Sequence, residues 1–257
     1  MDSREIAFGR ILFSTTILWI FAIIDGIPSI DYRLVWVFMF GLPLELVALL
    51  LYIRALSISP LSLTVPFLSF TPVFLLISSP IILGEHPSLK GIIGVIIIVI
   101  GVYTLNFKSM KNGFFYPFKM ITNEKGSVMM LYVAIIYSIT ANIGKLGVIY
   151  SSPSFFAASY FTVLSILLFF LIRRKGNWRA IFRKELAIIA IFSAIMILFH
   201  MVAIKLIYVS YMIAIKRSSL LFGIIFGVIF FQEKGVKEKL LGGVLMILGI
   251  LIISLWA

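Results

Sequence analysis

The side chains able to do chemistry are few, and they lie inside apolar runs. Glu45 falls midway along one such run, in Gly41-Leu42-Pro43-Leu44-Glu45. A charge at mid-bilayer costs roughly 2.5–3.5 kcal/mol on insertion scales, so a residue of this kind needs a partner or a purpose. Glu45 reads either as a solute contact or proton carrier, or as half of a structural ion pair. Lys216 and Arg217 stand seven to eight residues into another run, about 11 Å from its end at 1.5 Å per residue. Arg217 suits a planar carboxylate or phosphate better than a lysine does, and it is placed to reach Glu45 or an anionic solute. The plainer alternatives for the pair are a structural ion pair or snorkelling. Lys145 and Lys205 sit near the ends of their runs, where long stems let the ammonium snorkel to the interface. Asn142 lies one turn before Lys145 and can share its face. His200, five residues before Lys205, is either a satisfied polar helix contact or a proton relay. No second His or acid stands at ligand spacing from it, so no metal site is expected.

These residues need helices to position them, and the composition says which kind. The chain has 257 residues, 62% apolar and only 12% charged, with mean hydropathy +1.17. A soluble domain is nearer half apolar and a quarter charged, so the fold class is an all-α, polytopic helical membrane protein. A bilayer core takes about 20 apolar residues per helix. Nine segments qualify, at roughly 6–24, 33–53, 58–83, 88–106, 127–149, 154–172, 185–207, 209–231 and 240–256. The first is read as an uncleaved span, because Asp25-Gly26-Ile27-Pro28 is a poor cleavage site. The third carries Pro66, Pro72 and Pro80. It is either a bent packing helix or a broken helix lining a cavity. The connection Phe107 to Gly126 mixes aromatic residues with lysine and is expected to lie along the interface.

The charge distribution orients the spans. With the N-terminus inside, 16 of the 22 Lys and Arg fall in inner connections, two (Arg33 and Lys90) fall outside, and four lie within spans. The positive-inside rule then puts the C-terminus outside. The net charge of +12 is accounted for by those connections and by anionic lipid, so no nucleic-acid partner is expected.

Shifting the chain by 148 residues lays Glu85, Gly94 and Gly101 on Glu233, Gly242 and Gly249, and aligns 6–107 with 154–255 without a gap. Identity is only 13 of 102, so the weight rests on the matched Glu-Gly-Gly spacing and the span-for-span register. Span one meets span six, an odd offset, so the halves run in opposite directions across the membrane. Such inverted repeats serve alternating access in secondary transporters. The repeats are 1–108, with four spans, and 109–257, with five. Span five matches residues that would precede Met1, so either the plan is four plus five or the start lies elsewhere. The paired glycines, and Gly223-x3-Gly227, let helices approach closely, within the chain or at a homodimer face. Glu85 and Glu233 stand just before helices, where an acid suits the N-terminal dipole.

The stretch "ALSISPLSLTVPFLSFTPVFLLISSPIILGEHPSLKGIIGVIIIVIGVY" and its echo "AIKRSSLLFGIIFGVIFFQEKGVKEKLLGGVLMILGI" resemble the EamA-type transporters of the drug/metabolite transporter superfamily. The resemblance lies in order: a helix with central Pro or small residues, a Gly-Glu or Gln-Glu turn, then a glycine-bearing helix. It implies a ten-helix plan, here without its first helix, and export or exchange of a small metabolite through a central cavity. By that likeness spans two, three, seven and eight line the cavity.

The chain contains no His-x-x-x-His, phosphate-binding glycine loop or Gly-x-Ser-x-Gly, and no cysteine. No enzyme activity and no cofactor are therefore expected, and any transport is driven by a proton or other ion gradient, or by exchange. The reading is a secondary transporter of a small molecule, with the lipid bilayer as its surroundings, in the cytoplasmic membrane of a prokaryote. Basic residues toward the outer half favour an anionic or zwitterionic solute. Two alternatives are a flippase-like protein, using Lys145, Lys205 and Arg217 against a lipid phosphate, and a non-transporting remnant or partner subunit.

Overall fold

The structure, a computed structural model, describes residues 3–59, 61–105, 124–172, 184–222 and 236–256. Among the described residues every regular element is helical: α1 (Ser3–Asp25), α2 (Leu34–Ile58), α3 (Leu61–Leu68), α4 (Thr71–Leu83), α5 (Leu89–Leu105), α6 (Lys125–Ile149), α7 (Pro153–Ile172), α8 (Lys184–Leu206), α9 (Val209–Lys216) and α10 (Val236–Trp256). Backbone groups in hydrocarbon have no water to bond, so spans that satisfy themselves internally are the expected solution. Helices α1, α2, α6, α7 and α8 are each long and apolar enough to cross a bilayer, while the apolar parts of α4, α5 and α10 are shorter. The connection 107–126 falls almost wholly outside the described residues.

The third span is broken. Helix α3 stops at Leu68, two turn residues follow, and α4 starts at Thr71. The reason is Pro72, whose ring nitrogen has no hydrogen for the carbonyl four residues back, Leu68. The eighth span breaks too. Helix α9 ends at Lys216, residues 217–218 turn, and helical geometry resumes over 219–222. Leu68 and Lys216 are 148 residues apart, so the two breaks occupy matched positions of the repeat. The second break has Leu220 where the first has Pro72, so proline is not its cause.

The chain packs as two compact units. The first comprises Met1–Val47 and Ile143–Leu206, and the second Ala48–Asn142 and Ile207–Ala257. In the first, α1 packs on α7 and α8. Ala157, Ala158, Ala190 and Ala194 are buried there, and their small side chains let backbones approach. Polar side chains tie the same helices: Trp19 Nε1 donates to Thr162 Oγ1 (2.9 Å), and Ser14 Oγ shares its proton between Arg10 O (2.7 Å) and Ala190 O (3.0 Å). Outside the spans, the Arg33 guanidinium pairs with Asp31 at 2.6 Å and lies 4.5 Å over the Tyr150 ring. The Asp31 backbone N–H donates to Tyr150 O at 3.0 Å. The hydrogen bonds from Arg33 hold the Asp31 carboxyl below the usual carboxylate range.

In the second unit, α5 packs along α10, and α9 packs on α4 and α5. Val95, Ile98, Val102, Tyr211, Ala214, Met246 and Ile253 form its core. The paired glycines of α5 and α10 meet here, within the chain. A Cβ on Gly94 would lie 3.0 Å from Gly249 O, one on Gly249 would lie 2.6 Å from Gly94 O, and one on Gly101 would lie 2.8 Å from Gly242 O. Gly94 is the repeat mate of Gly242, and Gly101 of Gly249. Each glycine therefore meets the mate of the other, the reciprocal contact that a two-fold relation produces. The crossing is antiparallel, as an inverted repeat requires. In the first unit, the repeat mates α1 and α7 also pack together.

Gly84 ends α4 in the left-handed region, φ 69°, with its N–H on Pro80 O and the Glu85 N–H on Ser79 O. That stop points Glu85 away from its own helix. The sequence expectation put Glu85 at the N-terminus of α5. Instead its Oε2 accepts the Val209 N–H (2.8 Å) at the start of α9, and Tyr211 Oη accepts the Ser88 N–H (3.0 Å) at the start of α5. Each turn thus caps a helix of the other, and the acid still meets an N-terminal dipole.

Candidate functional site

Arg217 stands at the α9 break. Its backbone N–H donates to Ala214 O (3.0 Å), and that of Ser218 to Ile215 O (2.9 Å), a tight three-residue turn that ends the regular ladder. The side chain goes to the other break. Nη2 donates to Leu68 O (3.0 Å) and to Thr71 Oγ1 (3.3 Å). Thr71 Oγ1 itself donates to Leu68 O (2.7 Å). The carbonyl that Pro72 cannot serve is thereby satisfied twice, once locally and once by a charge from the mate helix.

The guanidinium is not itself satisfied. Nε is buried and has no hydrogen-bond partner, and Ser210 Oγ, also in this stretch of chain, is the second such atom among the described residues. Tyr137 and Tyr52 are its electrostatic neighbours. Within its unit, among the described residues, no carboxylate lies at ion-pair distance. Aromatic rings surround the α3–α4 break: Phe70 stacks on Phe67 (6.3 Å) and meets Tyr103 edge-on (6.5 Å). Among the described residues the acceptors of Arg217 are neutral, and a cation so held in low-dielectric surroundings is short of negative charge.

The other sequence candidates fall elsewhere. Asn142 is fully buried and its hydrogen bonding is spent. Nδ2 donates to Ser78 Oγ (2.9 Å) and Ser138 O (2.8 Å), and Oδ1 accepts from Ser79 Oγ (2.8 Å). It ties α6 to α4 beside Pro80. Glu45 is half-buried on α2 in the first unit, an electrostatic neighbour of Tyr160. Lys145 and His200 are half-buried in the same unit, on α6 and α8. Lys205 is exposed in the last turn of α8, where a cation suits the helix dipole. Lys216 is exposed on α9, next to Arg217 in sequence. Glu233, Gly223 and Gly227 lie outside the described residues. Sequence reasoning named Thr71 among the hydroxyls able to serve a carbonyl freed by proline, as it does for Leu68, but did not connect either group to Arg217. The signal was available in Pro72, because a proline inside a helix names the carbonyl it frees.

Two helices broken at matched positions, a reciprocal glycine crossing between repeat mates and a charged group held at the breaks define a polytopic membrane protein of the inverted-repeat transporter kind. The model of the EamA-like transporter family matches residues 1–107 and 124–255. The chain belongs to that family, and its general role is transport across a membrane. One solved structure, a crystal structure of a protein, is similar over 100% of this chain and 89% of its own, with TM-score 0.76 and 14% identity, a likeness of fold. No curated protein matches.

Proposed function

We propose that the chain is a secondary active transporter that exports or exchanges a small anionic or zwitterionic metabolite by alternating access, in the cytoplasmic membrane of a prokaryote. The observation that carries this reading is Arg217, a guanidinium held at two matched helix breaks with a buried donor unspent. Broken helices in transporters expose backbone dipoles and polar groups at a solute site while the rest of each span stays hydrogen-bonded. Repeats of 1–108 and 109–257, related by an inversion, supply two states of similar energy for such a site to face either side. Glu45 is the proposed proton carrier of the first unit, since a half-buried carboxylate can bind and release a proton as its surroundings change. Lys145, His200 and Lys216 are secondary solute or coupling contacts in this reading. Asn142 and Lys205 are assigned to packing and to the membrane interface.

The test is flux into liposomes containing the purified chain, offered pooled labelled amino acids, organic anions and nucleotides, with and without a pH gradient. Saturable uptake of an anionic or zwitterionic solute is the expected result. Absence of uptake by folded, monodisperse protein would overturn the reading. Scrambling of labelled lipid without solute flux would replace it with the flippase alternative.

A further inference from the structure

We propose that the Leu68 carbonyl and the Thr71 hydroxyl are a built-in stand-in ligand for Arg217, displaced by the anionic group of the solute. The proposal rests on the reading that Arg217 contacts the solute.

Inside an unbroken helix the Leu68 carbonyl would be spent on the N–H four residues on. Position 72 is proline, so that donor does not exist. The carbonyl accepts instead from Thr71 Oγ1 at 2.7 Å and from Arg217 Nη2 at 3.0 Å, and Nη2 also reaches Thr71 Oγ1 at 3.3 Å. All three groups belong to the two breaks, and all are neutral except the guanidinium. The tether orients the fork and satisfies part of it, but it supplies no negative charge and leaves Nε without an acceptor. A carboxylate or phosphate offers charge-assisted bonds, about twice as strong as neutral ones, so it can take Nη2 from the tether and engage the remaining donors. Apparent affinity is then the intrinsic affinity scaled by the fraction of Arg217 that is free of the tether. The same exchange reports occupancy to α3 and α4, because Leu68 loses a donor each time an anion binds.

The experiment measures Arg217 directly. Phenylglyoxal modifies arginine, and modification at Arg217 is followed by peptide mass spectrometry in the intact, lipid-embedded protein. Acetate and inorganic phosphate serve as protecting probes. Pro72→Ala gives Leu68 an N–H at the required position and releases the guanidinium. Arg217 should then react faster and be half-protected at about three- to tenfold lower probe concentration, the effect of one ordinary hydrogen bond. Thr71→Val removes one of the two acceptors that hold Nη2, so half-protection should move in the same direction by a smaller factor. Thr71→Ser keeps the hydroxyl and should match wild type. Unchanged reactivity and protection in both Pro72→Ala and Thr71→Val would overturn the proposal. If Pro72→Ala does not fold, judged by thermal unfolding, Thr71→Val against Thr71→Ser decides alone. Liposome flux by Arg217→Gln separates the two levels. Loss of flux with an unaltered Pro72→Ala and Thr71→Val would remove only the tether, whereas wild-type flux in Arg217→Gln would remove the underlying reading.

Discussion

Adding one methyl group at the glycine crossing of α5 and α10 should destabilise the second unit, and the geometry sets how much. A Cβ on Gly101 would stand 2.8 Å from Gly242 O and 2.9 Å from the Met246 backbone nitrogen, where ordinary contact begins at 3.4 Å. Both neighbours are backbone, so no rotamer change relieves them, and the helices must separate. Overpacking of this kind costs about 1–3 kcal/mol, while replacing Gly by Ala inside a helix returns about 1 kcal/mol. Contacts with rigid backbone put the overpacking cost toward the upper end of that range, so the expected net loss for Gly101→Ala is about 1–2 kcal/mol. Gly144 supplies the contrast, since a Cβ there meets nothing within 4 Å, and Gly144→Ala should stabilise by about 0.5–1 kcal/mol. Gly94 and Gly249 share one crossing, so Gly94→Ala and Gly249→Ala together should cost less than the sum of the two. The assay is unfolding in lipid nanodiscs, followed by helix content. Wild-type stability in Gly101→Ala, or an altered association state with unaltered stability, would refute the intrachain crossing and return these glycines to a dimer face.

Asn142→Leu should lower stability by about 1–3 kcal/mol, since it strips partners from Ser78 and Ser79 in a membrane-spanning unit. Normal unfolding with lost flux would instead restore Asn142 as a solute contact. Glu45→Gln should abolish flux driven by a pH gradient while expression stays normal, and persistence of pH coupling would remove its proton role. The Asp31–Arg33 pair should persist through neutral pH. Because the Asp31 value is lowered, the pair is fully formed above the ordinary carboxylate value of about 3.9 and is lost only as pH falls through the depressed one. Carboxyl NMR that places Asp31 at or above the ordinary value would contradict the contact. In this cysteine-free chain, a cysteine at Ser88 should label from outside and one at Ser57 should not, and the reverse pattern would invert the assigned orientation.

The fold was legible where hydrophobicity and spacing act alone. Span positions follow from the cost of leaving backbone groups unbonded in lipid, and the 148-residue shift identified the glycines that now meet. What the shift left open was whether Gly94 and Gly101 met their mates or a second chain, because close approach looks alike in both cases. The α3–α4 break was half legible: Pro72 announced a lost hydrogen bond, but three prolines in one span allowed a bend or a break. The α9 break was not legible, since no proline or glycine marks Lys216–Ser218 and the turn depends on tertiary packing. The destination of the Arg217 side chain was hidden for the same reason. Its partner is a carbonyl, and every residue has one. The role of Asn142 was not legible, because a buried amide looks the same in sequence whether its donors are spent on neighbours or kept for a solute.

The most direct measurement is solute exchange across liposomes by wild type, Arg217→Lys and Arg217→Gln, each verified as folded and inserted. Lysine keeps the charge but not the fork. The expected result is saturable exchange by wild type, a half-saturation raised about tenfold or more in Arg217→Lys, the loss of a charge-assisted bond, and no exchange by Arg217→Gln. Equal exchange by all three proteins would contradict the assignment of Arg217 as the group that binds the solute.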